Sequence, residues 1–367
     1  MNFDFSDDSK MLREQARRFL AEKCTSKAVR TVLEGEAPYL RPLWCEMAEM
    51  GWLGAAIPED YEGGGLGHEA LCVLAEELGR ANAPVPFVAS IALGAEAILA
   101  AGSAAQKRAH LPGIARGETI ATAALGAGPG EPRAARVQAT LREGRISGEA
   151  WPVPDGMVAD LAVVAAREGG GVTLALVDLN GPGVKREALE SLDPTAPQAR
   201  LRFESAPAET MAGGWDAVGA VLDRAAVLVA FAQIGGASAC LEMATAYAKE
   251  RHAFGRPIGS FQAIKHRLAD VYVATELARS NAYYGAWALQ AGAAELGLAA
   301  ATARVSASEA GFFAAKENIQ VHGGIGFTWE MDCHLFYRRA KHLGLVLGSA
   351  RYWKDRLVSE LEVRNAA

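Results

Sequence analysis

Three glycines fall within four residues of the segment QVHGGIGFTWE, Gln320 to Glu330, and the surrounding stretch reads as helix. Glycine inside a helix costs up to about 1 kcal/mol relative to alanine. Such a run therefore asks what approaches the backbone so closely. A dinucleotide-binding loop needs G-x-G-x-x-G after a strand and before a helix. The spacing in this segment is G-G-x-G, and EAGFFAAKENIQ before it is helical in pattern. The Rossmann reading fails. On the residues alone, the glycines mark a helix C-terminus and turn, where glycine is favoured. Other reactive side chains are sparse. His322 and His334 stand too isolated to be metal ligands. The cysteines (Cys24, Cys45, Cys72, Cys240 and Cys333) are scattered without a C-x-x-C pair, so neither a zinc site nor a disulfide framework is indicated.

A chain of 367 residues is long enough for two or three domains with a sizeable core. Its net charge of −6 and lack of a basic tract argue against a nucleic-acid partner. The N-terminal MNFDFSDDSK is acidic and has no apolar signal region. No uninterrupted apolar run reaches the roughly 18 residues of a membrane span. These features predict a reduced, cytoplasmic protein.

The elements that would position any site change in texture twice. Residues 1–114 read as an α-helical domain. Ser6 is a cap with first-turn acids behind it, and Met11, Leu12, Ala16, Phe19 and Leu20 form an apolar stripe. LWCEMAEMGW is a helix ending at Gly51. IPEDYEGGGLG is a loop, and HEALCVLAEELGRA is a helix stopping near Gly79. Residues 115–213 alternate in short runs broken by turns, the mark of β-hairpins, with a turn at VPDG (Val153 to Gly156). Residues 214–367 are strongly helical and rich in alanine. Four long helices fit, near 215–251, 261–292, 295–321 and 335–362, and short connections between them imply an antiparallel bundle. The third is so rich in small residues that it suits burial on several sides, including between subunits.

Two stretches are specific. One is KERHAFGRPIGSFQAIKHRLADV, with R-x-x-F-G-x-x-I-x-x-F-Q in one register. The other is QVHGGIGF, followed by FYRRAK. With GWLGAAIPEDYEGGGLG and LAEELGRA earlier, they resemble the acyl-CoA dehydrogenase family along the whole chain and in the right order. The resemblance implies an α-helical N-terminal domain, a β-barrel-like middle domain and a C-terminal four-helix bundle. It implies FAD, a tetramer, an acyl-CoA substrate oxidised to a 2-enoyl-CoA, and an electron-transfer flavoprotein as acceptor. It also assigns residues. Arg251 matches the arginine that meets the FAD pyrophosphate, for which a guanidinium fork is suited. Phe254 matches a ring beside the cofactor, and Gln262 a hydrogen-bonding contact. Gln320, Gly323 and Gly324 match a segment that touches the FAD of a neighbouring subunit, so the turn and the close approach to a cofactor are both expected.

The reaction needs a base for the α-proton while the β-hydride goes to flavin N5. In many family members it is a Glu after an A-K pair in the last helical region. The matching stretch, AKHLGLVLGSAR, puts Leu347 at that place. A minority carry the base early in the bundle's first helix, directly before an arginine. In that register Asp223 is the candidate base, and Arg224 would orient it or hold the acyl-CoA. The middle-domain motifs are eroded to TAALGAGPG and WPVPDG, which leaves the backbone at Leu125, Gly126 and Val153 to meet the ring. Three readings follow: a homotetrameric dehydrogenase using Asp223, a partner subunit of a heterotetrameric dehydrogenase for bulky acyl-CoAs such as steroid side chains, or a flavin oxidase.

Overall fold

The computed structural model describes residues 5–128 and 130–366. Met1–Asp4 of the acidic N-terminus, Pro129 of the TAALGAGPG stretch and Ala367 lie outside the described residues. The chain runs helical, β, helical. The N-terminal helices are α1 (Asp7–Lys23), α2 (Ser26–Leu33), α3 (Arg41–Glu49), α4 (Gly67–Arg80), α5 (Glu96–Ala101) and α6 (Ala104–Ala115), with a π-helical stretch, Val88–Ala95, leading into α5. The Ser6 side chain caps α1 by accepting from the Ser9 backbone N–H. Ala16 and Leu20 of its stripe are buried, whereas Met11 is exposed.

The strands follow as β1 (Ala121–Ala124), β2 (Thr140–Arg142), β3 (Arg145–Pro154), β4 (Leu161–Glu168), β5 (Gly171–Asp178), β6 (Val184–Leu189), β7 (Gln198–Pro207) and β8 (Glu209–Met211). They form one sheet in the order β6-β7-β3-β2-β4-β5-β8, with β1 parallel to β4. Leu161 to Ala166 of β4 are all buried, as expected of a strand covered on both faces.

The C-terminal helices are α7 (Gly214–Glu250), α8 (Gln262–Ala291), α9 (Leu296–His322), α10 (Cys333–Leu343) and α11 (Ala350–Ala366). The single last helix expected near 335–362 is therefore two helices. The break is GLVLGS, where Gly348 takes φ +105°, a left-handed conformation that most side chains resist. Small residues along α9 let it sit at the centre of the bundle, packed on α7, α8, α10 and α11. The chain itself provides the burial that its composition demands.

α4 ends at Arg80, one residue past Gly79 and close to the expected stop, and Gly79 also lies where α4 crosses α7. A Cβ at Gly79 would fall 2.0 Å from the Ala232 carbonyl oxygen, and one at Gly235 would fall 1.9 Å from that of Glu76. The two glycines allow the N-terminal domain and the bundle to pack backbone against backbone. Only α7 among the described residues is long and apolar enough to cross a membrane, and 83% of its apolar window is buried in the protein itself. It is the core helix of the bundle. Among the described residues no group of His, Cys, Asp and Glu could hold a metal ion.

Candidate active site

The site has two parts at opposite ends of α7. The first is a cavity of about 560 Å³ where the sheet meets the start of α7 and the break between α10 and α11. Leu93, Leu125, Trp151, Leu222, His342 and Leu347 are among its walls. Leu125 and Gly126 line it, whereas the Val153 side chain is fully buried and does not. The eroded stretches still shape the wall, through Gly126, Ala127 and Gly128 on one side and Trp151, Pro152 and Pro154 on another.

Leu347 is buried in this wall. Trp353 Nε1 holds the segment by donating to the Leu347 carbonyl at 3.0 Å. Arg304 is fully buried and has no carboxylate partner among the described residues. Its Nη1 donates to Gln233 Oε1 at 2.5 Å, and its Nη2 donates to the Leu343 carbonyl at the end of α10. Burial pulls this guanidinium down to about 9.

Asp223 follows Leu222 on α7 but is turned away from the cavity walls and toward α11. Arg356 Nη2 donates to Asp223 Oδ2 at 2.8 Å and lies 2.7 Å from Oδ1, which makes no hydrogen bond of its own. Burial raises the carboxyl to about 6, with Arg356 opposing the rise and Glu360 adding to it. Arg224 does not orient Asp223. Its Nε donates to Glu96 Oε2 at 2.5 Å, and its Nη2 lies 3.1 Å from His68 Nε2. His68 Nε2 is 2.8 Å from Glu96 Oε1. Burial pushes the Glu96 carboxyl upward, but His68 and Arg224 outweigh it and hold the carboxyl below its usual value. Arg224 is thus engaged within the N-terminal domain's contact with the bundle. The arginine that meets Asp223, Arg356, lies far along the chain in a helix with no motif, so adjacency in sequence gave the wrong partner.

The second part is the far end of the bundle. Arg251 is the residue that caps α7 at its C-terminus, Gln262 opens α8, and Gln320, Gly323 and Gly324 end α9. The structure gathers these five residues with Phe254 at one end of the bundle, apart from Asp223 and Arg224 near the start of α7. All six are exposed. Phe254, at φ +53°, is 95% exposed and meets Phe261 edge-on, and the guanidinium of Arg256 lies 4.1 Å from the Phe261 ring centroid. The Arg251, Gln262 and Gln320 side chains have no hydrogen-bond or ion-pair partner among the described residues. Gly323 has φ +64° and ψ −140°, which only glycine adopts readily, and a Cβ on Gly323 or Gly324 would meet open space. Gly326 has a packing reason instead. A Cβ there would lie 2.7 Å from the Ile319 carbonyl oxygen. His322 is buried, stacked on Tyr247 at 4.2 Å, with Nδ1 2.8 Å from the Asn318 carbonyl.

An unpaired guanidinium, two free amides, a bare aromatic face and a glycine turn open to solvent suit a dinucleotide. The first can meet phosphate oxygens, and the glycine backbone can lie close against the ligand. The donor set therefore fits FAD. Arg251 would meet the pyrophosphate, and Gln262 and Gln320 would supply polar contacts.

A helical domain, a β middle domain and a helical bundle, with an apolar chamber and this exposed end, define a flavin-dependent dehydrogenase architecture. The comparisons with known proteins agree. Residues 6–118 match the model of the acyl-CoA dehydrogenase N-terminal domain, and residues 212–357 match that of the C-terminal domain. Acyl-CoA dehydrogenase IpdE2 of Mycobacterium tuberculosis is 34% identical over 356 residues, covering 97% of this chain and 98% of that protein. A variant of the steroid ACAD Tcur3481-Tcur3483 superposes with a TM-score of 0.91 at 34% identity, over 98% of this chain and 99% of that one. The ChsE4-ChsE5 complex from Mycobacterium tuberculosis gives a TM-score of 0.90 at 29% identity, over 99% of each chain. The chain belongs to the acyl-CoA dehydrogenase family, FAD-dependent flavoproteins that act on the CH-CH group of acyl-CoA thioesters.

Proposed function

We propose that this chain is one of two different subunits of an FAD-dependent acyl-CoA dehydrogenase. It would act in the cytoplasm on a bulky, ring-bearing acyl-CoA and pass electrons to an electron-transfer flavoprotein. The observation that carries this reading is an asymmetry. The chamber wall has Leu347 where a carboxylate is needed, while the bundle end keeps every residue expected to hold the cofactor. FAD, when bound, accepts the hydride released from the β-carbon. Removing the α-proton requires a group on the protein that can take it. Leucine has no such group, and Asp223 is turned from the chamber and held by Arg356. The base is then supplied by the second chain.

Along α7, the stretch from Leu222 to Arg251 spans about 43 Å at about 1.5 Å per residue. The two parts of the site are too far apart to grip one cofactor molecule. Arg251, Phe254, Gln262, Gln320, Gly323 and Gly324 would therefore cover a flavin seated in another subunit. The bulky substrate class is suggested by a relative named as a steroid ACAD and by one solved as a complex of two named chains.

A second reading, a homotetramer using Asp223 as base, draws on one observation: a buried carboxyl raised to about 6, next to a residue of the chamber wall. One experiment separates the two. The chain is purified alone and together with the homologous chain it assembles with, and each sample is titrated anaerobically with acyl-CoAs from short linear to steroid-like. We expect bleaching of the flavin band only in the two-chain assembly and only with the bulky thioesters, unchanged by Asp223→Asn. Turnover by this chain alone that Asp223→Asn abolishes, with FAD retained, would sink the two-chain reading.

A further inference from the structure

His342 follows the A-K pair at the end of α10. Its ring has no hydrogen-bond partner among the described residues. It is only partly accessible, and it is one of the cavity's lining residues. An interior imidazole without a protein partner is costly, because each of its nitrogens seeks a donor or an acceptor. Its nitrogens are not sealed inside the protein, so whatever fills the chamber can serve as their partner.

The surroundings fix its charge. Burial, then Arg339 and Arg304, pull the imidazole down, and Asp193 opposes them only in part. It sits at about 4. Arg339 is itself committed: its Nε donates to Asp193 Oδ2 at 2.7 Å and its Nη2 to Thr195 Oγ1 at 2.8 Å. At neutral pH the ring is therefore an uncharged imidazole, with one N–H to donate and one nitrogen to accept. Of the other side chains in this wall, Leu345, Val346 and Leu347 carry no polar atom. Lys341 and Ser349 flank this stretch in the wall, and His342 is the imidazole beside its apolar part.

We propose that His342 hydrogen-bonds a carbonyl-type oxygen of the ligand held in this chamber, so that the chamber of this chain is a working ligand site even with Leu347 at the place expected for the base. The oxygen has two sources: the ring carbonyls of a flavin, or the acyl carbonyl of a CoA thioester. This inference rests on the reading of the chamber as a flavin and acyl-CoA pocket, but not on whether Asp223 or a second chain supplies the base.

The test uses the native assembly with His342→Leu and His342→Gln, the second keeping a neutral donor and acceptor. Binding of FAD to the flavin-stripped protein and of crotonyl-CoA to the flavin-loaded protein is measured by calorimetry, alongside the visible spectrum and the melting temperature. Loss of one neutral hydrogen bond predicts a threefold to tenfold weakening, roughly. If the flavin is the source, His342→Leu weakens FAD and shifts the flavin band, and His342→Gln restores both. If the thioester is the source, FAD binding and the flavin band stay native, crotonyl-CoA weakens by the same factor, and His342→Gln restores it. The proposal is overturned if His342→Leu binds both ligands as tightly as the native protein, or if His342→Gln melts like the native protein yet fails to restore binding. A native assembly that takes up neither ligand would overturn the chamber reading and the proposal with it. Failure of the two-chain reading would show only in the Asp223→Asn experiment.

Discussion

The two ends of α7 are built on opposite rules. Around Asp223 and Arg224, each charged side chain has found an opposite charge within the chain, and further along, at Gly235 near the middle of the helix, two backbones touch where α7 crosses α4. Around Arg251 and Gly323, a guanidinium and two amides face outward with no hydrogen-bond or ion-pair partner among the described residues, and the Phe254 ring, touched only edge-on by Phe261, is exposed beside them. Both ends contain residues that could do chemistry. The first end satisfies itself and so contributes mainly to stability. The second is unsatisfied, and its residues gain their energy only when a ligand or another subunit arrives.

Substitutions sharpen this contrast, and the largest loss of stability belongs to the self-satisfied part of α7, up to its crossing with α4. Gly235→Ala puts a Cβ 1.9 Å from a carbonyl oxygen and forces α4 from α7. It is expected to cost about 3 kcal/mol, the upper part of the overpacking range, read as a drop in denaturant midpoint. Arg356→Ala comes next, because it leaves Asp223 buried without its cation. The loss should reach about 3 kcal/mol at pH 8 and be smaller at pH 5. The sign follows from the raised carboxyl. Its value of about 6 lies above its ordinary 3.8, so its favourable contribution is complete below the ordinary value and fades as pH rises through about 6. Without Arg356 the carboxyl rises further, and the penalty for ionising it grows with pH. Equal melting losses at pH 5 and pH 8 would break this account of the pair.

At the open end the pattern reverses. Arg251→Ala should change the melting temperature of the flavin-free protein little, as for most exposed positions. It should weaken FAD roughly tenfold or more, the loss of a charge-assisted hydrogen bond, measured by fluorescence titration of the assembly. The smallest effect on stability is expected for Phe254→Ser, within about 0.5 kcal/mol, with FAD retention still reduced. If either variant lowered stability as much as Arg356→Ala, the open end would be a folding element and not a binding surface.

Much of this contrast was legible in the sequence. Texture alone divided the chain into helical, β and helical parts, because alanine-rich 3.6-residue periodicity and short alternating runs are hard to confuse over such lengths. The R-x-x-F-G register and the glycine run located the open end. What periodicity could not show was pairing across the fold. Gly79 was legible as the neighbourhood of a helix stop, but one sequence does not reveal that Ala232 also presses against it. Asp223 and Arg224 read as a unit, yet successive residues on a helix point about 100° apart, and each met a different helix. The break at Gly348 was hidden within an apolar run that matched a continuing helix. His342 lay in plain view beside the A-K pair, but an imidazole is only conspicuous once its lack of a partner is known.

The length of α7 has a further consequence. One rigid rod carries the wall of a chamber near its beginning and the cover for a neighbour's cofactor at its end, so the two duties can be inherited separately. After a gene duplication, one copy can lose its proton-abstracting wall and remain indispensable, because the sister copy still needs the cover. Mutations at the two ends of the same helix would then be selected through different partners, and a chain that has stopped doing the chemistry would still be kept for what its far end completes.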